Sequence, residues 1–429
     1  MKPIGMHIKS ESSSWGRDVR GARLAGWSGR ILLLAAVVAL PCGGTDACLA
    51  EAARDSVPAF ERWPGNPLFA VEPSRSWRSI HVANADVVRP ETSPDGKWRL
   101  FLRGSGRFPQ ETPDPERNYH DSIGLFTQEA NGFSPFGPWK EHPGNPVLAH
   151  GPADGYDGLH LLDAAAAWGK DADGRDVLYL YYKGVSYESG GCVAGAASTD
   201  GGRTFTKFES NPLHRRGGPN DVVYHDGRYY LFYGYATFDA TLRRVTDRLK
   251  IYLAVTKDPT DIRDVPRCLA IATGRPGSFD SRAVNGARVF RIGPRWFMIY
   301  QVSAVHFDYP ERFHAAWSDD LVHWTKVRNP QPLFERGDTG RWDQGAIWTG
   351  DVFEYDGRLY MYYEGWGREN VALDRRKPYA RPGRSQVGVA HVAVDRFLEW
   401  CGLPSPPAHR APGPAAPRRV RPRGTSSGP

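Results

Sequence analysis

The sequence predicts an all-β, five-bladed β-propeller. A hairpin pattern recurs five times, further strands follow the hairpins, and no long helical periodicity lies between them. Each hairpin consists of an apolar strand, a tight turn that is usually Asp-Gly, and an aromatic strand. Asp-Gly between alternating β-formers is a strong hairpin signal. Similar units repeated at a long period indicate a repeat architecture, and five such units describe a propeller.

The predicted elements follow one another along the chain. The five hairpins cover residues 86–102, 163–182, 221–233, 287–300 and 351–363. A third strand and a Ser/Thr-Asp turn follow at 196–205, 253–258 and 315–324. The first of these turns is a complete Asp box, in which Asp200 caps a tight turn. A last strand at 387–392 is expected to complete the fifth unit or to close the ring.

The two ends of the chain differ in composition from its middle. Residues 1–50 are expected to be a signal peptide, because several arginines precede an apolar run at 31–40 that is too short for an ordinary membrane-spanning helix. A membrane anchor is the alternative. The expected order is a linker at 51–63, the propeller at 64–402 and a disordered Pro/Arg-rich tail at 403–429. The protein would then be secreted or periplasmic, with no stable membrane span after cleavage.

The net charge of +7 does not indicate a nucleic-acid partner, because it lies at the two ends. Residues 1–50 carry +3 and residues 403–429 carry +5, which leaves −1 for the rest of the chain. A nucleic-acid-binding domain needs a basic face of its own. We therefore expect no nucleic-acid partner.

Three cysteines, Cys192, Cys268 and Cys401, remain after the expected cleavage, and their spacing matches no metal motif. Buried free thiols are the favoured interpretation, and one disulfide is the alternative after export. We expect no cofactor. A structural Ca²⁺ in the channel is possible, because oxygen ligands from several blades could supply it without a linear motif.

Polar residues recur at the strand ends that are expected to form one mouth of the central channel, where the active site of a propeller enzyme is expected. The first strand of each blade lines the channel and the second runs antiparallel to it, so the start of one and the end of the other open at the same mouth. The strand-one starts are Asp86, Asp163, Asp221, the segment from Asn285 to Arg288, and Asp351; the strand-two ends are Arg103, Lys183, Gly234, Gln301 and Glu364. Charges clustered in a cleft shift one another's pKa values and are favoured as acid/base sites. Trp77, Trp342, Trp348 and Trp366 are candidates for flat apolar faces that bind sugar rings, and packing within the blades is the commoner role of any one of them.

These Asp-led units resemble the five-bladed propeller glycoside hydrolases of families 43, 32, 62, 68, 117 and 130, over about residues 64–402. The resemblance implies that Asp86 matches the general base of family 43, and that Asp221 matches the residue that tunes pKa values and holds the sugar. We expect Arg103 to keep the pKa of Asp86 low. The fourth blade departs from the pattern, because Asn285 stands where family 43 has its acidic Glu, and Asn cannot act as an acid.

Glu364 is the first candidate for the missing acid. It ends a Tyr-rich strand, and burial against aromatic side chains would raise its pKa towards the range that an acid needs. Asp351, Asp163 and Glu311 are weaker candidates. His306 is another, because the resemblance extends to family 117, which uses a His as its acid.

The sequence therefore predicts an exported glycoside hydrolase that cleaves a polysaccharide or oligosaccharide by an inverting, two-carboxylate mechanism. The residues expected to bind its substrate are Asp163, Asp351, Arg103, Lys183, Asn285, Arg288, Gln301 and Trp348. One alternative is a phosphorylase of the family 130 type, in which Arg103, Lys183 and Arg288 hold phosphate. The other is a propeller that binds glycans without turnover.

Overall fold

The computed structural model describes most of the chain from residue 59 onward. The described residues are 59–106, 119–187, 190–236, 238–239, 244–245, 248–263, 265–308, 310–338, 340–367 and 384–404. They all belong to one compact unit, 55–429. The predicted signal peptide and nearly all of the predicted tail lie outside the described residues. Strands dominate the part that is described, and the all-β prediction is confirmed.

The described residues form 23 strands, two short 3₁₀ turns at Ser76–Arg78 and Pro90–Thr92, and one α-helix, α1 (Val394–Cys401). The strands are β1 (Glu61–Arg62), β2 (His81–Val88), β3 (Lys97–Gly106), β4 (His120–Glu129), β5 (Lys140–Glu141), β6 (His160–Lys170), β7 (Asp176–Val185), β8 (Cys192–Ser198), β9 (Thr206–Lys207), β10 (Gly218–His225), β11 (Arg228–Tyr235), β12 (Phe238–Asp239), β13 (Arg244–Val245), β14 (Lys250–Thr256), β15 (Cys268–Ile271), β16 (Ala283–Ile292), β17 (Arg295–Ser303), β18 (Arg312–Ser318), β19 (Thr325–Lys326), β20 (Phe334–Glu335), β21 (Ala346–Tyr355), β22 (Arg358–Trp366) and β23 (Ser385–Ala393).

Antiparallel pairing sorts 21 of these strands into five successive units, each starting with one of the predicted hairpins, and β12 and β13 form a separate two-stranded hairpin. The units are β2-β3-β4-β5, β6-β7-β8-β9, β10-β11-β14-β15, β16-β17-β18 with β19 and β20, and β21-β22-β23-β1. One parallel bridge, between Asp121 and His160, joins the first two units into a continuous sheet. The first strands contact one another in the order β2, β6, β10, β16, β21 and back to β2, so they surround a common centre.

Apolar side chains fill the space between neighbouring units. One cluster joins Phe101 and Leu125 of the first unit to Leu161 and Leu178 of the second. Another joins Ile299 of the fourth unit to Met361 of the fifth. The alternating apolar residues of the hairpins therefore form several inter-sheet cores, as expected for sheets packed face to face.

Two details of the predicted organisation are wrong. Glu61 and Arg62, placed in the linker, form β1 and pair with β23, so the ordered sheet begins before residue 64. The sequence showed no helical periodicity of useful length within the propeller span, yet α1 follows β23. Phe397 and Leu398 are buried on one side of α1, and a helix of eight residues is too short to give a clear periodic signal.

A charged clamp links the beginning and the end of four units. In each, the residue three positions before the first strand forms an ion pair with the outermost strand. The pairs are Arg78–Glu141 (3.1 Å), Asp157–Lys207 (2.6 Å), Asp280–Lys326 (2.6 Å) and Asp343–Arg62 (2.8 Å). The sign of the charges is reversed in the first unit, so the clamp depends on opposite charges and not on one residue type.

A charge reversal in the fourth unit tests this clamp. Lys326→Glu places a second acid against the buried Asp280, and we expect it to lower the free energy of unfolding by about 3 kcal/mol. The double variant Asp280→Arg/Lys326→Glu re-creates the polarity of the first unit and should recover at least half of that loss. Urea denaturation measures both values. A double variant no more stable than Lys326→Glu alone would contradict the clamp.

Candidate functional site

A β-bulge interrupts every first strand at nearly the same place. The strand register shifts between Ala83 and Asp86, Leu162 and Ala165, Pro219 and Asp221, Asn285 and Arg288, and Thr349 and Val352. Within the bulges, Asn84 (φ 44°), Asp163 (φ 54°) and Gly286 (φ 59°) adopt left-handed conformations. Bulges re-aim side chains and are frequent beside active sites. Here they divide the residues of each strand between a central cluster and an open cavity.

The cavity has a volume of about 240 Å³ and lies where the first strands begin and the second strands end. Eight of the eleven predicted site residues line it: Arg103, Asp163, Lys183, Asn285, Arg288, Gln301, Trp348 and Glu364. Sequence reasoning missed others that also line it, chiefly His81, Asn84, Asn220 and Asp308.

Asp86, Asp221 and Asp351 are not among the described residues that line the cavity; this corrects their placement at the mouth. They are 2%, 7% and 8% exposed. Each accepts a hydrogen bond from a backbone N–H of a neighbouring first strand. These bonds join Ala166 to Asp86 (2.9 Å), Val289 to Asp221 (2.6 Å) and Val87 to Asp351 (3.0 Å). The geometry of the three carboxylates therefore fits a role in holding adjacent units together.

Arg288 is the cation at the centre of this cluster. Its Nη1 atom donates to Asp86 Oδ1 at 2.8 Å and to the Ala164 carbonyl at 3.3 Å. Burial raises the pKa of all three aspartates, and Arg288 opposes the rise in each case. For Asp221 the result is a pKa of about 7. The expectation that Arg103 keeps the pKa of Asp86 low is wrong, because Asp86 is buried and Arg103 forms its ion pairs elsewhere.

This cluster predicts a pH dependence of stability. The folded-state pKa of Asp221, about 7, lies above its ordinary value of 3.8, so its contribution to stability is complete below about pH 4 and is lost as the pH rises through 7. Asp221→Asn resembles the protonated form and removes this titration. The parent should therefore lose stability relative to Asp221→Asn between pH 4 and 7, by up to about 1.4 kcal/mol per pH unit. Urea denaturation across that range measures the difference, and a constant difference would contradict the prediction.

The bulges also correct the register of Asp163. Asp86 lies opposite Phe101, Asp221 opposite Phe232 and Arg288 opposite Ile299. The equivalent residue of the second unit is Ala165, opposite Tyr181. Asp163 comes two positions earlier and corresponds to Asn84, so it faces the cavity and not the central cluster.

Asp163 is a half-buried carboxylate with both oxygens available. Within the described part of the chain its carboxylate makes no hydrogen bond and no ion pair. A Cβ atom built on Gly218 would lie 3.0 Å from Asp163 Oδ2 and 2.9 Å from Lys183 Cδ. Asp163 and Lys183 thus approach the same glycine of the neighbouring unit, and the absence of a side chain there makes room for both.

Asp308 supplies a third carboxylate to the cavity, besides those of Asp163 and Glu364. It belongs to the loop after β17; the residue as a whole is exposed, and its carboxyl group accepts a hydrogen bond from Trp348. Burial of the carboxyl group raises the pKa of Asp308, Lys183 opposes the rise, and the negative charge of Asp163 adds to it. Asp163 and Asp308, the second of which has a raised pKa, therefore face the same space.

Arg103 is fixed by polar partners on three sides. It donates to Asn84 Oδ1 at 3.0 Å and lies 3.5 Å from Asp121 and 3.9 Å from Glu364. Burial alone would raise the pKa of Asp121, but Arg103 and His160 hold it well below its ordinary value. The Arg103 guanidinium is therefore a permanent, oriented cation at the edge of the cavity.

Glu364 supports this cation and is less suited to proton transfer. Burial raises its pKa, as the sequence analysis expected, while Arg103 opposes the rise. One carboxylate oxygen accepts from Ser385 Oγ at 2.6 Å, and the other accepts from Asn84 Nδ2 at 3.3 Å. Because both oxygens already accept hydrogen bonds, Glu364 is less available to a substrate than Asp163.

His81 presents a neutral donor to the cavity. Its Nδ1 atom accepts a hydrogen bond from the Ser385 backbone N–H at 3.2 Å, which places the proton of the neutral ring on Nε2. Burial and then Arg103 lower the pKa of His81 to about 4. The Nε2 atom has no hydrogen-bond partner in the described residues and is not enclosed by protein. The ring can therefore donate to a bound hydroxyl.

Amides and indoles complete the lining. Asn220 donates to Asn285 Oδ1 at 3.0 Å, and Gln301 Oε1 accepts from the Thr349 N–H at 3.3 Å. The Trp348 and Trp366 rings lie 5.9 Å apart and both line the cavity. Two other tryptophans pack in the inter-sheet cores and do not line it, namely Trp77 and Trp342.

The remaining candidates lie elsewhere. Glu311 lines a separate cavity, and His306 Nε2 is 3.7 Å from its carboxylate. Cys192, Cys268 and Cys401 are free thiols; Cys192 is buried and Cys268 is exposed. No group of three or more His, Cys, Asp and Glu side chains arranged to hold a metal occurs among the described residues. No helix in the described part of the chain is long and apolar enough to cross a membrane.

Comparison with known proteins supports the fold. Neither a protein-family model nor a curated protein matches the chain. The β-1,2-mannobiose phosphorylase from Listeria innocua, solved with β-1,2-mannobiose, is 15% identical, with a TM-score of 0.56 over 80% of this chain and 99% of that one. An N-acetylgalactosamine deacetylase from F. plautii, in complex with blood group B trisaccharide, is 16% identical, with a TM-score of 0.54 over 80% and 97%. The GH43_1 enzyme from Xanthomonas citri, complexed with xylose, is 13% identical, with a TM-score of 0.50 over 76% and 90%.

The chain shares the fold of these proteins. The resemblance to propeller-type glycoside hydrolases and phosphorylases is therefore confirmed at the level of the fold. At 13–16% identity the likeness assigns no family and no reaction, so the chemistry has to be argued from the cavity itself.

Proposed function

We propose that this chain is an exported, five-bladed propeller enzyme that hydrolyses O-glycosidic bonds in an oligosaccharide or polysaccharide. The blade count is supported by the five successive units and by the closed order of contacts between their first strands. The observation that carries the activity is that two carboxylates, Asp163 and Asp308, face one cavity that also presents two indoles. Glycosidic cleavage requires such a pair of carboxylates, and indoles give flat apolar surfaces to sugar rings.

In the proposed reaction Asp308 is the acid and Asp163 is the base. Asp308, with its raised pKa, donates a proton to the leaving oxygen as the bond from that oxygen to the anomeric carbon breaks. Asp163, whose two oxygens are unoccupied in the described structure, takes a proton from the water that attacks the same carbon from the opposite face. The pair Asp163 and Asp308 replaces Asp86 and Glu364, the pair expected from the sequence. Asp86 is buried behind the cavity, and Glu364 already accepts two hydrogen bonds.

The cavity residues also bind the sugar. Arg103 and Lys183 provide cationic donors, and the carboxylates of Asp163 and Asp308 provide acceptors. His81 adds a donor that stays neutral above about pH 4. A neutral sugar with several hydroxyl groups matches this mixture of donors and acceptors.

Paired substitutions separate the proposed base from the buried aspartate. Asp163→Asn keeps the shape of the side chain and removes the base, so kcat should fall by about 100-fold or more while the melting temperature is retained. Asp86→Asn removes the partner of Arg288 and should mainly lower the melting temperature. A panel of 4-nitrophenyl glycosides and oligosaccharides provides the activity assay. Full activity in Asp163→Asn would place the base elsewhere, and binding without cleavage by the parent protein would favour the glycan-binding alternative.

A phosphorylase is the second candidate, and Lys183 favours it. Of the three cations expected to hold phosphate, Arg103 is paired with Asp121 and Arg288 with Asp86. Lys183 lines the cavity and forms no ion pair within the described residues. It is therefore free to hold an anion.

Phosphate dependence distinguishes the two reactions. For a hydrolase, inorganic phosphate at about 10 mM, which is above typical KM values, should leave the rate of oligosaccharide cleavage unchanged. The product should be the free sugar. A phosphorylase would require phosphate, would release a sugar 1-phosphate, and would show a higher KM for phosphate in Lys183→Met. Product analysis with and without phosphate decides between them, and a phosphorylated product would overturn the hydrolase proposal.

A further inference from the structure

A second cavity, of about 620 Å³, shares one loop with the first. It is lined by the loop after β17 (Ala304, Val305 and Glu311), by the segment before β21 (Arg336 and Asp338) and by Phe279. The first cavity is formed where first strands begin and second strands end, and the segments named here adjoin those points, so both cavities belong to the same end of the ring of sheets. The side cavity, as we call this second one, falls within the size range of ligand sites in proteins.

One loop forms a wall of both cavities. Between β17 and β18, Asp308 faces the first cavity, whereas Val305 and Glu311 line the side cavity. Val305 and Asp308 are only three residues apart in this loop. The two cavities therefore share the loop as a common wall.

The frame of the side cavity is held by hydrogen bonds and an ion pair. The Arg336 N–H donates to the Glu311 carbonyl at 3.0 Å, and Arg336 Nη1 donates to the Gly345 carbonyl at 3.2 Å. Arg312 and Glu335 form an ion pair at 2.8 Å. These contacts tie the loop after β17 to the segment before β21, so the cavity is built by fixed elements and does not require a change in shape to form.

The lining combines an apolar surface with polar groups of both signs. Val305 is 49% exposed, which is unusual for a large apolar side chain in this structure, and Phe279 lies at the same cavity. Glu311 and Asp338 accept hydrogen bonds, while Arg336 donates them. An anion or a cation would meet a like charge here. A neutral molecule with an apolar face and several hydroxyl groups would satisfy both kinds of group, and a sugar unit has this chemistry.

We propose that the side cavity is a second carbohydrate subsite, which binds sugar units of the same chain whose reacting bond lies in the first cavity. This inference rests on the proposed function and narrows its substrate class to oligosaccharides or polysaccharides. Units held at the side cavity add binding energy at a distance from the reacting bond, so longer chains should react with a higher kcat/KM than short ones.

Obstruction of the side cavity tests the proposal. Val305→Arg fills the cavity from an exposed position, and Asp338→Ala removes an exposed acceptor. The matched control is Leu269→Arg, because Leu269 is 50% exposed and lines neither cavity. The substrates are the 4-nitrophenyl glycoside that the parent cleaves in the panel above and oligosaccharides of two to six units of the same sugar.

In the parent, kcat/KM should rise with chain length. The quantity compared among the variants is kcat/KM for the longest oligosaccharide divided by kcat/KM for the 4-nitrophenyl glycoside. Val305→Arg should lower this ratio by about tenfold, and Asp338→Ala should lower it less. Leu269→Arg should leave the ratio unchanged. Equal kcat/KM for short and long substrates in the parent, or an unchanged ratio in Val305→Arg, would overturn the second subsite while the proposed hydrolase stands.

A binding measurement keeps the two proposals separate. If the parent cleaves no glycoside, the proposed hydrolase fails, and isothermal titration with the same oligosaccharides still tests the subsite. Weaker binding by Val305→Arg than by Leu269→Arg would then support the subsite. Equal binding by the two variants, or no binding by the parent, would overturn it.

Discussion

Hydrogen bonds from the backbone of the first strands to buried carboxylates are the interaction on which the rest of the structure depends. The inner edge of each unit carries N–H groups that no further strand can pair, and a buried N–H without an acceptor is costly. Asp86, Asp221 and Asp351 accept from such groups on neighbouring units. Each bond closes one contact of the ring and fixes the positions of the strand ends that form the cavity.

The three buried carboxylates concentrate negative charge at the centre of the ring, and the positive charge of Arg288 offsets part of it. Three buried carboxylates face one guanidinium, so burial raises their pKa values even though Arg288 opposes the rise. In the second unit Ala165 stands at the equivalent position, which avoids a fourth buried acid. The acid of that unit comes two residues earlier, at Asp163, where the bulge directs it to the cavity. In the second unit the bulge therefore directs the aspartate to the cavity, whereas the aspartates Asp86, Asp221 and Asp351 of the other units lie in the buried central cluster.

The polar network around Arg103 shows how the cavity is kept in shape. Asp121 joins the first unit to the second, and Glu364 belongs to the fifth, so Arg103 connects three units at one point. Such a network orients the cavity side chains before any ligand binds. The pKa of Asp308 is raised first by burial of its carboxyl group, and the charge of Asp163 adds to the rise while Lys183 opposes it.

The sequence by itself determined the all-β class, the five hairpins and the residues at which the second strand of each hairpin ends. It could do so because Asp-Gly turns and alternating apolar residues are local signals. It also selected Arg103, Lys183, Gln301 and Glu364, which all line the cavity. Only the tertiary structure decided that Asp86 lies behind the cavity and Asp163 within it. A bulge changes which side a residue faces without leaving a sequence mark, and Asp308 lies in a loop whose position depends on contacts with other units.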